Sequence, residues 1–488
     1  MLFLSELERI ALLSRIVLFL FQVIINGLIP DLNPDVFNPP SDSDKPNLTD
    51  SIVESLLGGF RRWDSVYLLH VAEHGYTYEN TLAFFPLFPI LVRLIGNTLF
   101  YPLTTFLSYP NVLLVSAVCL NTVVFVKSAG LLRSLGVRVL GDRDLAERAV
   151  VMFCFNPASV FMSASYSESL FFYLTLRGLL LVESPGSSGV AGPLILGLST
   201  ATRSNGLVNG GYVAYRNFET LLRSITARTK IGAVAKTIIW ISIRSSFGLL
   251  LVAIPWGLFQ FYAYNIYCFD DGAAKLDIDD RILRYGHERS YKMPPSFSLW
   301  CYDKIPVSYS YVQDVHWDVG FLRYYRFEQI PNFILATPVI VLSICLIWDY
   351  AQRRTRYFLT FGIQGDASTA KKKTDVTVFK EFYADACYPY VVHLLFLLSF
   401  GIFFMHIQVL TRFLFSSCPV LYWYIARVTR SPPTRKTSEK NKETQLKGII
   451  QQITHWNKNN FKTKLIFIYA IIYITIGTAL HVNFLPWT

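Results

Sequence analysis

One stretch near the start of the chain gathers groups able to move protons beside flat aromatic faces. It reads Arg61-Arg62-Trp63-Asp64-Ser65-Val66-Tyr67-Leu68-Leu69-His70-Val71-Ala72-Glu73-His74-Gly75-Tyr76. Wound as a helix, turning about 100° per residue, it places Trp63, Tyr67, His70 and His74 on one stripe with Asp64 on its flank. Gly75 should end that helix. A carboxylate can take a proton from an attacking hydroxyl, and aromatic rings can stack on the apolar face of a sugar. The same residues also suit an interfacial helix whose Trp and Tyr anchor among lipid headgroups. Residue types alone do not separate the two.

A competing chemistry is written in the same residues. His70-Val71-Ala72-Glu73-His74 matches the H-x-x-E-H pattern of inverted zinc proteases, with two His on one helix face and Glu73 as base. Three fixed positions recur easily by chance in a chain of 488 residues, and no third ligand is evident. Trp-Asp is no more specific, since it returns at Trp317-Asp318 and Trp348-Asp349. Further polar groups interrupt apolar runs: Ser163 to Ser169 with Glu168, Thr202-Arg203-Ser204-Asn205-Gly206, and His406, Gln408 and Arg412. Polar groups at membrane depth are costly and so are candidates for function. The plainer account of each is a helix-end side chain reaching for water, or an internal hydrogen-bonded pair.

The elements that must position these groups are apolar. Hydrophobic residues make up 52% of the chain and charged ones only 16%, against about a quarter charged in soluble domains. The composition excludes a disordered chain, a collagen and a disulfide-stapled secreted module, and it leaves an all-α polytopic membrane protein. A crossing helix needs about 20 mostly apolar residues. Residues 10–29, 112–132, 238–262, 330–348, 390–407 and 465–482 supply clear candidates. Shorter ones lie at 150–162, 170–181, 194–211 and 410–425, and about ten to twelve crossings are expected. The first is read as a retained span, because its apolar run is long and no small-residue cleavage site follows.

The net charge of +11 is concentrated in three stretches, 216–236, 353–380 and 427–464. Residues 30–54 and 268–328 lean acidic. The positive-inside rule makes the basic stretches cytosolic and the acidic ones lumenal or exterior, so the charge needs no nucleic acid to explain it. The expected organisation is one membrane domain over 1–488, a first lumenal loop at 30–111, a second at 263–329 and a basic cytosolic loop at 428–464. The N-terminus is then cytosolic and the C-terminus lumenal. If the arginine-rich 133–148 is cytosolic, Glu168 and Arg203 emerge on the lumenal side with Asp64. The Phe/Pro run from Phe84 to Leu99 is then a half-embedded lumenal segment. Asn47-Leu48-Thr49 is a glycosylation sequon in the first of these loops. Cys268 and Cys301 bracket the second, where an oxidising lumen would favour a disulfide over two free thiols.

Seven segments taken together resemble the GPI mannosyltransferase 2 family. They are Trp63-Asp64, Ala72-Glu73-His74-Gly75-Tyr76, Ala83-Phe84-Phe85-Pro86-Leu87-Phe88-Pro89, Tyr166-Ser167-Glu168, Arg203-Ser204-Asn205-Gly206-Leu207-Val208, Gln408-Val409-Leu410-Thr411-Arg412-Phe413 and Asn483-Phe484-Leu485-Pro486-Trp487-Thr488. They occur in the same order from near the N-terminus to the last residue. One departure stands at Trp317-Asp318, where the family is expected to carry Trp-Asn, so Asp318 inherits no role.

The resemblance implies a GT-C glycosyltransferase bundle in the endoplasmic-reticulum membrane, with a lumenal active site. It implies dolichyl-phosphate mannose as donor and the mannosyl-glucosaminyl-(acyl)phosphatidylinositol precursor as acceptor. The transfer would add the second mannose in α1,6 linkage with inversion. Trp63-Asp64 matches the family's acidic catalytic position, which makes Asp64 the expected base. Arg203 is the first candidate for the donor phosphate, with Arg323, Arg326 and Arg412 behind it. Trp63, Tyr67, His70, His74, Glu168 and Asn205 complete the expected substrate-binding set. No nucleotide and no tightly bound metal are expected, a divalent ion at the phosphate is left open, and any small partner subunit is unassigned. The alternatives are another dolichyl-phosphate-sugar transferase, a transporter (although no internal repeat is visible) and the zinc protease.

Overall fold

The computed structural model describes residues 4–32, 35–40, 47–184, 189–226, 231–272, 276, 278–364, 381–430, 445–485 and 487. Every element among them is helical. α1 (Glu6–Leu28) opens on a Ser5–Glu8 capping box, which satisfies backbone donors at its start. α2 (Leu48–Leu57) is capped by Asn47, and α3 (Asp64–His74) stops at Gly75, whose φ of 75° favours glycine. α4 (Leu87–Asn97) follows the Phe/Pro run. α5 (Tyr109–Leu140), α6 (Arg143–Cys154), α7 (Glu168–Val182) and α8 (Ala191–Thr202) pack on one another, and α9 (Gly210–Thr226) and α10 (Ile231–Tyr267) pack beside them. The second large loop holds α11 (Asp280–Glu288) and α12 (Ser308–Val315). The rest are α13 (Ile330–Arg353), α14 (Thr355–Leu359), α15 (Tyr388–Phe404), α16 (Leu410–Phe415), α17 (Pro419–Thr429), α18 (Gln445–Thr454) and α19 (Phe461–Val482).

Six helical stretches are long and apolar enough to cross a membrane: Glu6–Leu28, Tyr109–Leu140, Val234–Tyr267, Phe327–Arg353, Asp385–Phe404 and Phe461–Val482. They contain or largely overlap the six clear segments expected from the sequence. The pair α16 and α17 forms a seventh candidate, broken by an 83° bend. α4, α6, α7 and α8 have 11, 12, 15 and 12 residues, too few to cross about 30 Å alone. The expected ten to twelve crossings is reached only by counting them. Ile239, Ile243 and Leu250 on α10 and Ile334, Val341 and Ile344 on α13 are exposed, as an apolar solvent requires. Much of the basic charge at Lys371, Lys372, Lys373, Arg435, Lys436, Lys440 and Lys442 lies outside the described residues.

Helix direction gathers the loops at two ends. At one end, Arg62 reaches Asp31 beyond α1 and the Val482 carbonyl closing α19, and Tyr267 at the end of α10 donates to the Tyr76 carbonyl. Cys268 and Cys301 are joined as a disulfide there. At the other end, Arg427 of α17 pairs with Asp349 of α13, and Arg430 pairs with Asp142 before α6.

Candidate active site

α3 begins abruptly. Trp63 has a φ of 57°, rare for a bulky side chain, and this turn makes Asp64 the first residue of the helix. Such strain persists only where the surroundings enforce it. Here the Asp64 N–H donates to the Tyr166 hydroxyl at 3.3 Å, and that hydroxyl donates to the Arg62 carbonyl at 3.4 Å. The Trp63 ring meets Phe484 edge-on, with centroids 5.8 Å apart.

Tyr166 is itself fixed by a buried linker between α6 and α7. Arg15 of α1 donates to the Cys154 and Ser159 carbonyls, and Asn121 of α5 donates to the Ala164 and Tyr166 carbonyls. This bracing accounts for the run from Ser163 to Ser169: its backbone polar groups are met inside the bundle. The run then delivers Glu168, fully buried, as the first residue of α7.

Four charges converge where α3, α7, α8 and α16 meet. Arg412 Nη1 lies 2.6 Å from Asp64 Oδ2 and 3.6 Å from Glu168 Oε1. Arg203 Nη1 lies 2.7 Å from the same Glu168 oxygen and donates to Ser167 Oγ at 3.2 Å. Two arginines thus face two carboxylates in a largely buried setting. Arg412 also lies over the Tyr166 and Phe161 rings, at 5.3 and 5.4 Å. Although these charges are close, both Glu168 oxygens and Arg412 Nε and Nη1 make no aligned hydrogen bond, and neither do Trp63 Nε1 and Gln408 Oε1. Buried polar atoms in this condition call for an explanation, and a polar ligand is one that fits two arginines beside them. Asn205 donates to Ser417 Oγ at 3.0 Å, which ties the Arg203 turn to α16 and α17. Gly206 completes that turn; a β-carbon there would come within 2.4 Å of the Thr200 nitrogen.

The aromatic and histidine stripe on α3 is more enclosed than its sequence suggests. Phe37 stacks on Tyr67 at 4.1 Å and Phe84 stacks on it at 5.0 Å, so neighbouring rings cover it. Burial pushes the Tyr67 phenol up, helped by Tyr291 and the Asp64 charge. His70 is buried, stacks on Tyr78 and shares a 2.6 Å hydrogen bond with Thr77 through Nε2. Burial holds it well below the usual histidine range, with His74 adding to the effect. His74 lies beside Glu73, 3.6 Å away. Among the described residues no three His, Cys, Asp or Glu side chains form a metal-ligand cluster. The H-x-x-E-H pattern therefore finds no third ligand there.

Other expected residues lie elsewhere. Arg323 pairs with Asp314 and Asp318, and Arg326 pairs with Asp318 at 2.9 Å; neither pairs with Asp64 or Glu168. Asn47 is exposed, caps α2 and donates to the Phe106 carbonyl at 3.1 Å.

One group was not anticipated. Glu79 is fully buried and joins the first loop to the second: Trp300 Nε1 donates to it at 2.9 Å and His316 Nε2 lies 3.0 Å away. Burial would raise its carboxyl, yet hydrogen bonds from His316, Ser298 and Trp300 hold it below the usual range. The neighbouring Trp317 meets Tyr67 and Phe84 with ring centroids at 5.3 and 5.6 Å. Its sequence signal was the recurring Trp-Asp dipeptide; Glu79 had none. His406, stacked on Tyr324, is lowered by burial, while Asp318, the Trp317 carbonyl and the Asp64 carboxylate push it back up.

Comparison with known proteins gives a consistent picture. The family described as "Mannosyltransferase (PIG-V)" matches residues 4–488. The GPI alpha-1,6-mannosyltransferase 2 of Cricetulus griseus is 38% identical over 99% of this chain and 98% of its own length. The Homo sapiens protein of that name is 34% identical over 99% and 98%. The GPI mannosyltransferase 2 of Drosophila melanogaster is 34% identical over 99% and 100%.

Proposed function

The chain belongs to the PIG-V mannosyltransferase family, and from that premise we propose that it adds the second, α1,6-linked mannose to the GPI-anchor precursor at the Asp64 site. It is a multi-pass membrane glycosyltransferase. The donor in this proposal is dolichyl-phosphate mannose, and the acceptor is the one-mannose glucosaminyl-(acyl)phosphatidylinositol. One observation carries the residue assignment: Asp64, Glu168, Arg203 and Arg412 meet at the start of α3.

The reaction is a single in-line displacement. The 6-hydroxyl oxygen of the acceptor mannose attacks C1 of the donor sugar while the bond from C1 to the phosphate oxygen breaks. Asp64 takes the hydroxyl proton, and the electron pair leaves with dolichyl phosphate, so the anomeric centre inverts. The leaving phosphate already carries charge, which makes electrostatic stabilisation more useful to it than protonation. Arg412 and Arg203 supply that charge. Arg412 moves to the foremost role because it already touches Asp64, whereas Arg323 and Arg326 are held by Asp314 and Asp318. An arriving phosphate competes with Asp64 for Arg412, so donor binding frees the carboxylate to act as base. Glu168 keeps both guanidinium groups aimed at the site. No step calls for a metal, and a divalent ion beside the phosphate stays open.

Charge and helix direction support an endoplasmic-reticulum lumenal location for the Asp64 end, with the N-terminus cytosolic and the C-terminus lumenal. The C-terminal residues Val482 and Phe484 lie against Arg62 and Trp63 at that end. Anchor precursors in cells lacking the chain test the activity. A one-mannose species should accumulate and disappear when the chain is restored; normal anchors would reject it. Protease protection of tagged termini in sealed microsomes tests the orientation.

A further inference from the structure

Trp317 sits one helical turn along α3 from Asp64, where it touches Tyr67. Its contacts are tilted or edge-on, with interplanar angles of 59° to Tyr67 and 78° to Phe84. Among the described residues no ring stacks flat upon the indole, and the side chain is half-buried. Tyr67 is the opposite case, with Phe37 and Phe84 stacked at interplanar angles of 12° and 19°. Of the two, Trp317 is the one on which no ring stacks flat among the described residues.

That face is held from three directions. The Trp317 Nε1 donates to the Asn80 carbonyl at 3.2 Å. His316, the preceding residue, is gripped by Glu79, which Trp300 also binds. Asp318, the following residue, has a φ of 48° and pairs with Arg326. A buried carboxylate with several hydrogen-bond donors fixes geometry well, because leaving any of them unmet is costly. The outcome is a preorganised indole beside a carboxylate, reached from a loop distant in sequence.

We infer that Trp317 is a specificity residue that stacks on the acceptor mannose, and that Glu79 is the positioning residue holding it there. The inference rests on the mannosyltransferase reading and extends it. The ligand is a pyranose presenting its C–H face. It is the acceptor sugar rather than the donor because the donor phosphate is drawn to Arg412 and Arg203, which touch Asp64 and Glu168, whereas Trp317 lies against Tyr67. A fixed aromatic wall orients the hydroxyl toward Asp64, and orientation of that kind is a large part of catalysis.

The test uses the full-length chain in microsomes, with mannose transfer measured while donor and a one-mannose glucosaminyl-phosphatidylinositol acceptor are varied separately. Trp317→Ala should raise the acceptor KM about tenfold, a plausible size for one aromatic contact, and leave the donor KM unchanged. Trp317→Phe should recover most of the loss. Glu79→Gln should shift the acceptor KM in the same direction, and adding it to Trp317→Ala should bring little further change, because Glu79 acts through Trp317. KM does not depend on how much enzyme folds, so reduced abundance does not obscure the result. An unchanged acceptor KM in Trp317→Ala, or an equal rise in both KM values, overturns the inference. A wild-type chain that transfers no mannose overturns the mannosyltransferase reading instead.

Discussion

Both ends of the bundle carry networks of arginine and carboxylate, but they are finished differently. At the end where α13 closes, Asp349 Oδ2 accepts from Arg427 at 2.6 Å and from the Tyr383 hydroxyl at 2.9 Å. Arg354 donates to the Tyr383 carbonyl at 2.7 Å and to Asp385 at 2.6 Å. These are aligned bonds at a partly exposed rim. At the Asp64 end the charges are as close and Glu168 is fully buried, yet both Glu168 oxygens and Arg412 Nε and Nη1 lack an aligned hydrogen bond. A network meant only to fasten helices gains by satisfying every donor. One meant to receive a charged substrate keeps some of that capacity unspent, which is the condition of the end proposed to do the chemistry.

The sharpest way to break this contrast is Asp64→Asn. Mannose transfer should fall by about 10²–10⁴-fold, the range for loss of a general base, while the chain stays in the membrane. Near-normal transfer in microsomes would remove Asp64 from the mechanism.

Glu168→Gln comes next. It leaves Arg203 and Arg412 short of a counter-charge in a buried setting, which should cost about 3–5 kcal/mol and be visible as a lower Tm in detergent. Transfer should fall as well. The matching change at the far rim, Asp349→Asn, should cost less, because those side chains keep about a quarter of their exposure, and should leave transfer per folded molecule intact. Equal losses from the two variants would erase the distinction.

The smallest expected effect concerns pH. Because His70 is buried with its pKa lowered, the unfolded chain binds a proton that the folded chain refuses. Stability should therefore decline as pH falls below about 6.5, the unperturbed histidine value. Thermal unfolding between pH 7.5 and 5.5 should show the decline, and His70→Gln should make it shallower; an identical slope in that variant would assign the effect elsewhere.

How far the site was legible follows from the range of each signal. Asp64 and the end of its helix were readable because Gly75 and the residues before it act locally. Arg412 was visible as a costly charge inside an apolar run, but its rank behind Arg203 was not. Its contact with Asp64 exists only because the fold brings α16 against the start of α3. Tyr67 read as a sugar platform because the sequence could not reveal Phe37 stacked upon it. Glu79 gave no signal, since its donors Trp300 and His316 belong to another loop.

By itself the sequence determined the membrane class, the six long spans, the end of α3 and the family, but not that Trp63 stands outside that helix. Hydropathy over about 20 residues, capping and turn preference are set by near neighbours, and ordered motifs need no coordinates. Only the tertiary structure decided which arginine meets Asp64, which aromatic face is left to offer, and that Glu79 ties the two loops together. Those outcomes depend on burial. A charge or ring acquires its partner from whatever the packing brings within a few ångströms once water is excluded, and spacing along the chain does not carry that information.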